Sequence, residues 1–267
     1  MSLLYLSILL LIQSPVLQNE TILKVVFRHS GSPDIQHYTI DGLGNVYMIK
    51  GQTLIKEDSR TGKKWEYTNK TAGIIHSVDI SDPFRILLLY KDFNQAIFLN
   101  NYLAEISSPI LLDDLGVKDV ELICTSKAGG FWVFDNFTGQ IFLFGKDMKP
   151  VCQSQSINSI TDKNSKPVRM IENSTLVYLS IPNLGILVFN QYGTYHSTIP
   201  LLSINDFQII NQSIIYYNNH MLFDYNILDQ TTRTTSIPDT GVVINCRLHI
   251  DHLYVFKHDG YTIYKKE

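Results

Sequence analysis

Five side chains stand out as groups able to hold a polar ligand: His37, His76, Asp79, Glu172 and Arg247. Together they offer imidazole nitrogens, carboxylate oxygens and a guanidinium fork. That set suits a small polar organic ligand or, through its oxygens, a divalent cation. Their linear spacing forms no motif. Only a fold that carries the ends of separate strands to one place gives them a common chemistry. The competing expectation is that they satisfy one another and the water of a channel, because buried polar groups need partners whatever the function.

A denser set lies near the C-terminus, where His249, Asp251, His252, His258 and Asp259 fall within eleven residues. His249 and His252 flank a tight Ile250-Asp251 turn, but His258 is six residues farther along the same strand, roughly 20 Å away at about 3.3 Å per residue. Three ligands cannot meet on one ion there, so no metal ligands are assigned. The chain has no G-x-S-x-G, no G-x-x-x-x-G-K, no H-E-x-x-H and no G-x-G-x-x-G. The common hydrolase, nucleotide and zinc-protease routes lose their support, and no catalytic residues are assigned. No cofactor is expected, with a divalent cation left open.

The elements that must position these groups read as short strands. Gly129–Pro150 holds two apolar runs, Phe131–Phe134 and Ile141–Phe144, joined by the turn Asp135-Asn136-Phe137-Thr138-Gly139. Aromatic and β-branched residues favour a pleated surface, and Asp and Gly favour the turn, so the stretch predicts a β-hairpin. The same D-x-x-T-G turn occurs at Asp58–Gly62. Middle turns near Gly51, Phe93, Phe137, Asn183, Asn219 and Asp259 follow one another at 42, 44, 46, 36 and 40 residues. Four short strands per roughly 40 to 45 residues is the period of a β-propeller blade. The last unit has only three strands of its own, and a strand at Ile22–Phe27 precedes the first unit. The expectation is therefore an all-β, six-bladed β-propeller with four antiparallel strands per blade, the last blade closed by the N-terminal strand Ile22–Phe27, so that both terminal edges are hidden. The five polar candidates fall on or beside the innermost strands, which line the central channel. Trp65 and Trp132 read as packing between blades.

At Asp41–Met48 (DGLGNVYM) and at the two D-x-x-T-G turns the chain resembles the six-bladed propellers that include the TolB, NHL and pyrroloquinoline-quinone-type repeats. The resemblance implies an exported propeller of a Gram-negative envelope; later units lack the Gly-Asn opening, and no active site carries over.

The chain has 267 residues, 45% of them apolar, and a formal net charge of −3 with Lys and Arg dispersed. That argues against disorder and offers no basic face for a nucleic acid. Leu3–Ile12 is an apolar run followed by Pro15, too short to span a bilayer. It fits a secretory signal over residues 1–18, with 19–267 as one propeller domain; a buried or membrane-resting segment is the alternative, since no Lys or Arg precedes the run. Cys124, Cys152 and Cys246 match no metal spacing, and whether two of them pair is left open. The expected localisation is periplasmic or secreted and soluble. The function expected is a non-catalytic platform of the envelope that binds a protein partner, a glycan or a small polar ligand, with apolar turn residues such as Phe84, Phe93 and Tyr192 at strand ends. The alternative is a channel-mouth enzyme or ligand sensor with a bound divalent cation, lactonase-like or glycan-active.

Overall fold

The computed structural model describes residues 16–18, 23–31, 34–161, 166–238 and 241–266. The apolar run Leu3–Ile12 and the junction at Asn19 lie outside the described residues. Six four-stranded antiparallel units follow one another in sequence order, and the innermost strands are His37–Ile40, Ser77–Asp79, Val120–Thr125, Arg169–Asn173, Gln208–Ile210 and Val243–His249. This is a six-bladed β-propeller. Its last blade is completed by the N-terminal strand Leu23–Ser30, which pairs antiparallel with Gly260–Lys266 from Leu23↔Lys266 to Ser30↔Gly260. The closing strand runs on past Phe27 to Ser30, and Ile22 lies outside the described residues. One addition has no counterpart in that pattern: the backbone of Val16–Gln18 runs parallel to the outer strand of blade 5.

The second strand of each blade explains the continuous apolar runs. In Phe131–Asp135, Phe131 and Val133 join a cluster with blade 2, while Trp132 and Phe134 join one with blade 4. Similarly, Tyr47 and Ile49 face blade 2 whereas Val46 and Met48 face blade 6. A strand packed on both faces has no polar side, so alternation disappears and near-continuous apolar sequence takes its place. The outer strand Lys64–Thr68 has one free face and keeps the alternation. Among the described residues six apolar clusters, one between each pair of neighbouring blades, make the core a ring, and the cluster of Tyr38, Val46 and Met48 with Tyr254, Phe256 and Ile263 closes it.

The D-x-x-T-G turns work as their residue types require. Asp58 Oδ1 accepts from the backbone N–H of Arg60 at 2.9 Å and Thr61 at 3.2 Å. Asp135 Oδ2 accepts from Thr138 N–H and Oγ1 at 3.1 and 2.8 Å. Gly62 and Gly139 close these turns at φ +68° and +67°, where a Cβ is strained.

Candidate functional site

The inner strands run in one direction through the ring, so their starts frame one mouth of the channel and their ends the other. At the starts lies a cavity of about 690 Å³, bordered by Gln36, His37, His76, Arg169, Asp206 and Asn245, among others. At the ends lies a smaller one of about 360 Å³, bordered by Asp41, Asp79, Lys127, Glu172, Arg247 and Ile250 among others. Arg169 borders both.

Between the mouths sits a charge cluster built by four consecutive blades. Asp206, just before the inner strand of blade 5, accepts a hydrogen bond from Arg247 Nη2 and one at 2.8 Å from Asn245 Nδ2, both on blade 6. Arg169 of blade 4 brings its Nε within 3.3 Å of the other carboxylate oxygen. Asn245 Oδ1 in turn accepts from Arg247 Nη1 at 3.0 Å. Arg247 is only 2% exposed, and a buried guanidinium is tolerated only when paired and hydrogen-bonded in this way. Burial alone would raise the Asp206 carboxyl; Arg247 first, then Arg169 and His37, outweigh it and hold the group well below the usual carboxylate range.

His37 of blade 1 faces the same cluster. Burial, partly opposed by Asp206 and reinforced by Arg247 and Arg169, lowers its pKa from 6.5 to about 4. The His37 ring is half-buried beside the channel, and the protein around it removes most of its solvation. At neutral pH it is therefore an uncharged imidazole.

The structure divides the five sequence-derived candidates rather than gathering them. His37 and Arg247 belong to the central cluster. His76 is exposed on the wide mouth, near Lys91 and Asp92. Asp79 and Glu172 border the narrow mouth, where each ties two blades together. Asp79 Oδ2 accepts from Thr125 N–H at 2.6 Å, Thr125 Oγ1 at 2.7 Å and Ser81 Oγ at 2.9 Å. Glu172 accepts from Trp132 Nε1 at 2.5 Å and from Lys127 N–H at 2.9 Å. Of the C-terminal set, His249 contacts Gly42 O at 3.1 Å and His252 pairs with Asp251 at 2.6 Å. Among the described residues no three His, Cys, Asp or Glu side chains are grouped as metal ligands. No disulfide joins Cys124, Cys152 and Cys246, and burial pushes the Cys124 thiol well up.

Sequence reading does not single out Arg169, Asp206 or Asn245. Asp206 lies between strands; its one signal is its place two residues before the inner strand Gln208–Ile210.

The rim of the narrow mouth is asymmetric. The turns that follow the inner strands of blades 6, 1 and 2 present Ile250, Leu43 and Phe84, which are 83%, 50% and 60% exposed. The equivalent turns of blades 3, 4 and 5 expose Lys127, Ser174 and Asn211. Three neighbouring blades thus carry an apolar arc and the other three a polar one.

The architecture recurs widely. Over 94% of this chain and 98% of the other, the protein superposes on the Neurospora crassa Pan2 WD40 domain with a TM-score of 0.64 at 8% identity. A catalytically inactive virginiamycin B lyase from Staphylococcus aureus, with quinupristin, matches at a TM-score of 0.61 and 13% identity over 92% and 99% of the two chains. BBS1N in complex with ARL6DN matches at 0.57 and 12% over 93% and 97%. No protein-family model and no curated protein sequence matches the chain. At such identities the likeness establishes the propeller fold alone. Among the described residues no helix is long and apolar enough to cross a membrane.

Proposed function

We propose that this protein is a non-catalytic binding platform of the cell envelope that receives a protein partner on its narrow-mouth rim. The observation that carries the reading is the apolar arc of Ile250, Leu43 and Phe84 on three consecutive inner turns. Exposed apolar side chains are ordinary singly; grouped on one side of a rim and opposed by a polar arc they favour a docking surface. Burying each is worth about 1.5–3 kcal/mol. Association costs about 4–15 kcal/mol, so polar contacts from the Lys127, Ser174 and Asn211 side must complete the interface.

The absence of convergence favours binding over catalysis. An enzyme or sensor built on a cation at the mouth needs carboxylates aimed at one point, whereas Asp79 and Glu172 spend their oxygens on inter-blade donors. Support for the envelope comes from the signal-like Leu3–Ile12 run. BBS1N, a propeller of similar fold, is described in complex with a protein, ARL6DN.

The test is cross-linking and affinity purification of the full chain from the envelope fraction of its source. A stoichiometric partner lost with Ile250→Asp and Phe84→Asp, and kept with Phe137→Asp on the opposite rim, is the expected result. Recovery of no partner, or of the same partner with all three variants, overturns the platform.

A further inference from the structure

The central cluster is unbalanced. Arg169 and Arg247 bring two positive charges against the single carboxylate of Asp206, and His37 beside them is neutral at physiological pH. Both terminal nitrogens of Arg247 are engaged, by Asp206, Asn245 and the Cys246 carbonyl. Those of Arg169 are not. Its Nε is buried and near Asp206 but lacks hydrogen-bond alignment, and no described residue accepts from its terminal nitrogens. A guanidinium held inside a channel with open donors is poised for an oxyanion, which its fork meets with two parallel hydrogen bonds.

The two mouths differ in what they admit. The narrow one, with its smaller cavity of about 360 Å³, is bordered by the carboxylates of Asp41, Asp79 and Glu172 and by the cations of Lys127, Arg169 and Arg247, so its charges offset one another. On the wide side the carboxylate of Asp92 is accompanied by the ammonium of Lys91, itself paired with Glu121, and the cavity of about 690 Å³ is of small-molecule size. Its walls are amphipathic: Ile74, Val168 and Ile244 offer apolar surface, and Gln36, Ser77 and Asn205 offer neutral polar groups.

We infer that the wide mouth binds a small organic monocarboxylate with an apolar body, the carboxylate on Arg169 and the body against Ile74, Val168 and Ile244. A single excess positive charge matches a monoanion, whereas a dianion leaves the surplus charge reversed in sign inside the channel. The site lies on the opposite side of the ring from the apolar arc, so it stands or falls independently of the platform.

Calorimetric titration of the full chain with 3-phenylpropionate, octanoate, 3-phenylpropionamide and inorganic phosphate tests it. The expected result is saturable binding of both acids, at least tenfold weaker binding of the amide and of phosphate, and at least tenfold loss with Arg169→Gln. Because Arg169 also supports Asp206, Val168→Glu provides a second variant that charges the wall and leaves the cluster intact; it too weakens the acids tenfold, while Ile250→Asp leaves them unchanged. No saturable binding of either acid, equal binding of the amide, preference for phosphate, or undiminished binding in Val168→Glu overturns the inference.

Discussion

Asp79, on the inner strand of blade 2, holds both the backbone N–H and the hydroxyl of Thr125, the last residue of the inner strand of blade 3, at 2.6 and 2.7 Å. The carboxylate is 4% exposed, so these donors replace its water and rivet two blades beside the channel. Asp79→Ala strands them in the interior. The expected loss is about 2–4 kcal/mol of unfolding free energy in urea, with a smaller loss for Asp79→Asn, which keeps one acceptor. An alanine variant as stable as the parent removes this role.

Glu172 does the same between blades 4 and 3, through the indole of Trp132 and the N–H of Lys127. Trp132 is 1% exposed and fills the cluster between these blades. Glu172→Ala is expected to cost about 1–3 kcal/mol and Glu172→Gln less, because a glutamine oxygen still accepts one of the two bonds. Denaturant midpoints measured at one pH separate the pair; identical midpoints for both variants contradict the bridging role.

His37 makes stability depend on pH. Its folded pKa of about 4 lies below the ordinary 6.5, so between these values the unfolded chain takes up a proton that the folded chain refuses. Stability is full above pH 6.5 and declines as pH falls toward 4, by roughly 3 kcal/mol over the window. Asp206 adds a further loss at still lower pH, since its carboxyl is held down by Arg247 and Arg169 and its protonation dissolves that pairing. Unfolding midpoints at pH 7 and 4.5 read the first effect, and His37→Gln is expected to flatten it. An equal acid loss in the variant assigns the dependence elsewhere.

The closing strand Leu23–Ser30 covers the edge of Gly260–Lys266. A chain lacking residues 1–30 leaves that edge unpaired, and unpaired strand edges recruit other chains. Oligomers on size-exclusion chromatography and a lowered melting temperature are expected. A monomeric truncated chain that melts as the parent does shows that the last blade closes without this strand.

Much of the ring was legible because its signals are local. Asp58 and Asp135 announce their turns through side-chain hydrogen bonds to residues two or three positions away, and runs such as Phe131–Phe134 announce strands packed on both faces. The incomplete sixth unit and the orphan strand near Ile22–Phe27 then require each other. The interior of the channel was less legible. His37 and Arg247 can be placed on inner strands from the pattern, but their common partner Asp206 is separated from them by 169 and 41 positions and lies between strands. Nor does sequence reveal that Asp79 and Glu172 are held by Thr125 and Trp132, since an acidic residue at a strand end reads the same whether it faces a ligand or a neighbouring blade.

The sequence by itself determined six antiparallel units, their turn chemistry and the closure by an N-terminal strand, because β-turns and strand periodicity depend on residues within a few positions of one another. Only the tertiary structure decided which charges meet. Closing the ring carries Arg169, Asp206, Arg247 and His37 from four blades into one low-dielectric channel, where proximity rather than sequence spacing sets the ionisation of Asp206 and leaves the donors of Arg169 open.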